Sequence, residues 1–189
     1  MLDIATWSAL QMLYLIEFAD FHSQNTLGKG YGSSSQVSGA SDGAVYHTVN
    51  GGNTYNQYRW VEQPFGRVYD WVDGFMASSR NCYLGTDNAT FADSTSALTA
   101  AGVTLPSSNY ITGFGYSEEF PWAFLPDEAS GGSASTFVPD YVSSSSGTYA
   151  LSVGGGYSSY DYCGFWCFFA NNDASNTYSN LGSRLLYIP

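Results

Sequence analysis

One stretch of this chain, TWSALQMLYLIEFAD at residues 6–20, is its clearest helix, and the remainder is broken so often by glycine, proline and serine that no second helix of similar length is legible. Trp7, Leu10, Leu13, Tyr14, Ile16 and Phe18 give the helix a broad apolar face, and Asp3 or Thr6 is placed to cap it. Residues 28–43, GKGYGSSSQVSGASDG, read as a loop. Residues 58–76 mix short apolar runs with a Pro-Phe-Gly turn, and Tyr69, Trp71 and Val72 read as buried. Residues 93–101 read as a short capped helix or a turn, and the chain from Pro106 to Gly156 as irregular apart from a strand at 149–156 that ends in a glycine turn. Residues 183–189 read as a closing strand. One or two helices, several short strands and long connections describe an α+β fold with long irregular loops, its ends tied together and its loops displayed. The 189 residues suffice for one domain with a sizeable core, so 1–189 is read as a single domain.

Charge narrows the partners. Five Lys and Arg against 16 Asp and Glu leave a formal net charge of −11, too few cations for a phosphate-tracking patch, so nucleic acid is excluded and anionic membranes are disfavoured. No run approaches the ~18 apolar residues of a spanning helix, so no membrane insertion is expected, and no basic leader with a cleavage site is legible. Three cysteines, Cys82, Cys163 and Cys167, form no regular disulfide framework, and a bridge between any two is left open. Aromatic residues are abundant at 17% and charged ones scarce at 11%, with much Tyr, Ser and Gly, the residue types of binding loops.

Little in the chain resembles catalytic machinery. His22 and His47 lie in no recognisable context and there is no G-x-S-x-G. Gly28, Gly30 and Gly32 do not sit between a strand and a helix, so they read as a turn rather than a phosphate cradle. Glu118 and Glu119 are adjacent and point opposite ways on extended chain. Glu17 and Asp20 share a helix face, which fits a cap or an ion pair to an arginine better than a metal. Cys163 and Cys167 lack two further ligands at zinc spacing. No catalytic residue, metal site or cofactor is assigned.

The stretch YSSYDYCGFWCFF, residues 157–169, is the most unusual. Seven of its thirteen residues are aromatic and one is charged, which suits neither an alternating half-buried strand nor an ordinary solvated loop. Around it lie three segments that, in order and spacing, resemble the signatures of the formylglycine-generating-enzyme family, a branch of the C-type lectin-like folds. YLIEFAD at 14–20 resembles its helical E-W-E-Y-A stretch; PFGRVYDWVDG at 64–74 resembles its G-N-V-W-E-W segment; VGGGY with SNLGSRLLYIP, within 153–189, resembles its closing R-G-G-S-W and N-x-G-F-R. The family's enzymes carry two cysteines soon after a Gly-Gly-Ser turn, whereas here Cys163 and Cys167 fall later and the turn is Gly154, Gly155 and Gly156.

The chain is similar in this to the non-catalytic branch, the variable proteins of diversity-generating retroelements found in phages, archaeal viruses and some cells. That resemblance implies a C-type lectin-like fold of the formylglycine-generating-enzyme subtype whose closing segment, about 156–180, is rewritten by adenine-targeted mutagenesis. From Gly156 to Asn180 there is no Lys, Glu, Gln or Met, as mutation of AAC or AAT codons requires, and the one exception, Trp166, is assigned to the fixed scaffold. The resemblance implies a ligand-binding surface made of Tyr157, Ser158, Ser159, Tyr160, Asp161, Tyr162, Phe165, Cys167, Phe168 and Phe169, with Asn171, Asn172 and Asp173 at its edge. Its partner would be a protein or glycan on a host or target cell, and its place a virion tail or fibre tip, or else a cell surface; a homo-oligomer is also allowed. The alternatives are a formylglycine-generating oxidase using Cys163 and Cys167, and a calcium-dependent lectin.

Overall fold

The computed structural model describes residues 1–30, 47–49 and 56–184. Two helices, α1 (Ile4–Phe18) and α2 (Ser23–Leu27), open the chain. Thirteen strands come after them among the described residues: β1 (His47–Val49), β2 (Asn56–Tyr58), β3 (Val61–Glu62), β4 (Tyr69–Ser78), β5 (Asn81–Leu84), β6 (Thr99–Thr104), β7 (Ser108–Tyr110), β8 (Gly113–Gly115), β9 (Leu125–Glu128), β10 (Tyr141–Ser144), β11 (Thr148–Val153), β12 (Phe168–Asn172) and β13 (Leu181–Gly182). The architecture is α+β and mostly sheet, with few helices and one large sheet curled into a half-barrel.

Helix α1 forms where the apolar spacing places it. The Asp3 carboxylate accepts the Thr6 N–H at 2.7 Å, capping the start, and Ala19 in the left-handed region closes the end by donating to the Leu15 carbonyl. Trp7 and Tyr14 are buried, but Ile16, read as part of the apolar face, is 73% exposed. Glu17 pairs with Arg59 at 2.7 Å, the structural role expected of it.

The large sheet runs β6-β5-β4-β11-β12-β10-β7, with β13 added in parallel beside β4. Its pairs are antiparallel except β10 with β12, and β13 with β4. Strand β4 is interrupted: β11 pairs Ala150 with Met76 and then Leu151 with Val72, so Asp73, Gly74 and Phe75 bulge from the ladder. At that bulge the Asp73 N–H donates to the Leu2 carbonyl, and the Leu2 N–H donates to the Arg184 carbonyl. The two ends of the described fold are thus tied to each other and to the central strand. Arg184 completes the tie. Its Nε and Nη1 donate to the Asp70 carboxylate and the Glu62 carbonyl, each at 2.5 Å, and its Nη2 donates to the Gln63 carbonyl.

Several expectations need correction. The segment from 106 to 156 holds five strands, β7 to β11; β11 is the strand expected there, while the other four are runs of three or four residues, too short to show a period. Residues 99–104 are a strand, so the helical reading of 93–101 fails. Trp71 is only half-buried, since it points to the outer face of β4 while Val72 points to the core. Most of the 28–43 loop and the end of the 183–189 strand lie outside the described residues; pairing is seen at Leu181 and Gly182.

Candidate functional site

The closing segment divides into an interior half and an exterior half. After β11 the chain turns at Gly154 and Gly155, with φ of 81° and 76°. A Cβ on Gly154 would lie 2.8 Å from the Pro64 carbonyl oxygen, and one on Gly155 would overlap Cys163, so this crossing of backbones admits only glycine. The crossing is held by the Gly66 N–H, which donates to the Gly154 carbonyl at 3.1 Å. A 3₁₀ turn, Tyr160–Tyr162, comes next, and the chain then dives inward through CGFWCF, residues 163–168.

That dive is core. Phe165 is fully buried and packs its ring 5.2–5.5 Å from those of Trp7, Tyr14, Tyr58 and Phe65. Trp166 packs on Phe21, Phe114 and Phe124, and Phe168 on Phe75. Polar groups pin the backbone. Gln11 donates to the Phe165 carbonyl at 2.7 Å, the Ser23 hydroxyl accepts the Phe165 N–H at 3.1 Å, and the Asp140 carboxyl accepts the Trp166 N–H at 2.8 Å. Phe165, Cys167 and Phe168, read from sequence as contact residues, are therefore scaffold, because an aromatic run here lines the face of α1 and the inner face of the sheet. Ser159 is also corrected. It is buried, its hydroxyl accepting the Gly156 N–H at 3.0 Å and bonding the Tyr69 hydroxyl at 2.9 Å.

The exterior half lies over the outer face of the large sheet. On β12, Phe168 and Ala170 point in while Phe169 and Asn171 point out. The β10 register pairs Ser143 with Phe169, and β7 pairs Tyr110 with Tyr141, so these outward side chains share one face. Their rings form a continuous row: Tyr110 to Tyr141 at 5.3 Å, Tyr141 to Tyr162 at 5.4 Å, Tyr141 to Phe169 at 6.2 Å and Phe169 to Tyr69 at 4.9 Å. Beside them runs a hydrogen-bonded chain in which Asn176 donates to Asn172, Asn172 to Asn171 and Asn171 to Ser143, with Ser143 bonded to Ser108. A cleft of about 300 Å³ opens at one end of the row, between Tyr69, Phe169, Asn171, Asn172, Tyr178, Asn180 and Leu181.

Of the remaining predicted contact residues, Ser158, Asp161 and Asp173 are exposed, and Tyr157, Tyr162, Phe169, Asn171 and Asn172 are half-buried, the last four on or beside this face. Asp161 pairs with Lys29. Tyr160 lies in the 3₁₀ turn. Sequence reading missed Tyr110, Tyr141 and Tyr178. Tyr110 and Tyr141 stand on three- and four-residue polar strands that give no readable alternation.

Burial favours the neutral form of the interior thiols. Burial pushes the Cys163 thiol up to about 12 and the Cys167 thiol well above its usual range, with Asp140 adding to both. All three cysteines are buried thiols, and none is in a disulfide. Burial raises the Tyr69 hydroxyl as well, and Tyr110 is raised by burial and then by Asp161. Among the described residues no group of three or more His, Cys, Asp or Glu is arranged to hold a metal ion, and no helix is long and apolar enough to cross a membrane. No family model and no curated protein matches the chain.

Proposed function

We propose that this chain is a ligand-binding protein of the diversity-generating-retroelement variable type, built on a C-type lectin-like fold of the formylglycine-generating-enzyme subtype. It presents the outer face of its large sheet to a protein or glycan on a host or target cell, from a virion tail or fibre tip or from a cell surface. The observation that carries this reading is the split of residues 156–180. The CGFWCF run fixes the segment to the core, while Tyr162 and Phe169 join the aromatic row of the outer face, Asn171 points out beside them, and Ser158, Asp161 and Asp173 are exposed. Rigid Tyr rings give large contact area at low side-chain entropy cost, and Ser and Asn supply adaptable hydrogen bonding. The tying of both ends to β4 through Leu2, Asp70 and Arg184 supplies a frame that does not depend on the displayed groups.

The oxidase alternative requires thiolates, the form that attacks and that ligates copper. Burial favours the thiol form of Cys163 and Cys167, and both are enclosed in the core rather than open on the displayed face. Two randomised libraries test the proposal. One varies Tyr157, Ser158, Asp161, Tyr162, Phe169 and Asn171; the other varies 163 and 165–168. The first should yield mostly folded members and, by display selection, binders to unrelated targets; the second should yield few folded members. A first library that fails to fold refutes the reading. Thiol-dependent oxygen uptake lost on changing both Cys163 and Cys167 to serine would restore the oxidase.

A further inference from the structure

The cleft at the end of the aromatic row has a chemistry of its own. It is bounded by Tyr69, Phe169, Asn171, Asn172, Tyr178, Asn180 and Leu181, none of them charged, in a chain of net charge −11. A site for a cation would draw on some of the 16 carboxylates, and a site for an anion would need one of the five basic side chains; this cleft is lined by neither. Its polar lining includes three carboxamides, each offering a donor pair and an acceptor side by side. Asn171 and Asn172 are fixed in the amide chain that ends on Ser143, so their remaining donor and acceptor directions are set before any ligand arrives. The Asn180 amide and the Tyr178 hydroxyl have no hydrogen-bond partner among the described residues. Tyr178 is 57% exposed and Phe169 half-buried, so the cleft has a ring standing at its rim and another in its wall.

We infer that this cleft binds one ring of a neutral saccharide, without calcium. The inference rests on the proposed ligand-binding face and names the ligand class of one part of it. Vicinal hydroxyls present the same alternation of donor and acceptor as a carboxamide, so one amide takes two hydroxyls. The C–H-bearing face of a sugar ring is weakly positive and lies on the negative face of an aromatic ring. The volume of about 300 Å³ stands at the lower end of small-molecule sites, enough for a terminal ring and little more. No carboxylate lines the cleft, so recognition here uses amides and rings rather than a bridging cation.

The full chain, in chelator, is applied to an array of neutral, sialylated and sulfated oligosaccharides, and the strongest neutral binder is titrated calorimetrically. Neutral sugars are retained. Tyr178→Ala and Asn180→Ala each weaken binding by about tenfold or more, while Tyr178→Phe keeps most of it and none of the three shifts the melting temperature. Retention of acidic glycans only, binding that vanishes with chelator, binding unmoved by Tyr178→Ala, or no retention at all overturns the inference. The two libraries separate this failure from that of the display reading. If the outer-face library folds and yields protein binders while no neutral sugar is retained, the face stands and the saccharide falls; if that library does not fold, the display reading itself falls.

Discussion

Replacing Asp140 by asparagine should make this protein more stable at pH 8 and leave it nearly unchanged at pH 4. Asp140 is completely buried, and its Oδ1 has no hydrogen-bond partner among the described residues. Burial raises its pKa from 3.8 to about 8, opposed only by the backbone N–H groups of Trp166 and Cys167. Between those two values the unfolded chain has released a proton that the folded chain still holds. The unfolded state therefore binds fewer protons, and stability falls as pH rises through this window, in the direction opposite to a salt-bridged carboxylate. A rise of this size corresponds to about 5 kcal/mol lost between pH 4 and pH 8, a large share of the ~5–15 kcal/mol of a typical domain. The Asp140→Asn variant keeps an acceptor for the Trp166 N–H and carries no charge at this position. At pH 4 its amide matches the protonated acid in shape and charge, so stabilities should agree to within about 1 kcal/mol. At pH 8 the variant should lead by several kcal/mol, about 2–4 °C in Tm for each. Urea denaturation at unit steps from pH 4 to pH 8 measures both curves. Asp70 and Asp73 are also raised by burial, so a shallow slope of the same sign remains in the variant. An Asp140→Asn protein weaker by the same amount at every pH, with the full slope retained, would refute the argument.

The division between buried run and outer face predicts unequal costs within one segment. Phe165→Ala should cost about 3–5 kcal/mol in urea denaturation, since the ring is fully buried against four others, whereas Tyr178→Ala on the exposed rim should stay within about 0.5 kcal/mol; equal losses would count against the division. Arg184→Ala leaves the Asp70 carboxylate, 2% exposed, without its partner and should cost about 3–5 kcal/mol, with Asp70→Asn added to it recovering a clear part; no recovery would mean that the backbone contacts of Arg184 matter more than the charge. Cys82, Cys163 and Cys167 are buried thiols with raised pKa, so a maleimide should label none of them in the folded protein and all three in denaturant; rapid labelling at neutral pH would place at least one at the surface.

What the sequence makes legible is local. The helix, its Asp3 cap, the strand at 149–156 and the glycine turn after it are each written in a few adjacent residues whose backbone preferences decide the outcome. The tie between the ends is legible as well, from long displayed loops that need a fixed frame. Illegible are the features that depend on which residues the fold brings opposite one another. Tyr-Val-Ser-Ser and Ser-Asn-Tyr become strands because β12 and β10 offer them edges, and nothing in their own composition says so. The same holds for Phe165 and Phe168. An aromatic residue beside Tyr and Ser in sequence looks like paratope, yet whether it faces ligand or core turns on α1 and β4 lying against the segment, long-range contacts that spacing does not encode.

The split also constrains how such a segment could be diversified. If every codon from 156 to 180 were open to change, draws at 163 and 165–168 would replace fully buried groups, each at a cost of several kcal/mol, and most variants would unfold before meeting a ligand. Changes at 158, 161 and 173 touch exposed side chains, where substitutions usually stay within about 0.5 kcal/mol. On the proposed reading, a viable retroelement template would therefore place its mutable adenines at codons for outward residues and avoid them across CGFWCF. A near-copy of the closing segment's DNA beside a reverse transcriptase, differing at adenines in the codons for 157, 158, 161, 162, 169 and 171–173 and matching through 163–168, would join the geometry to the genetics. Differences concentrated at 165–168 would contradict it, because the side chains that hold the face in place would then be the ones free to change.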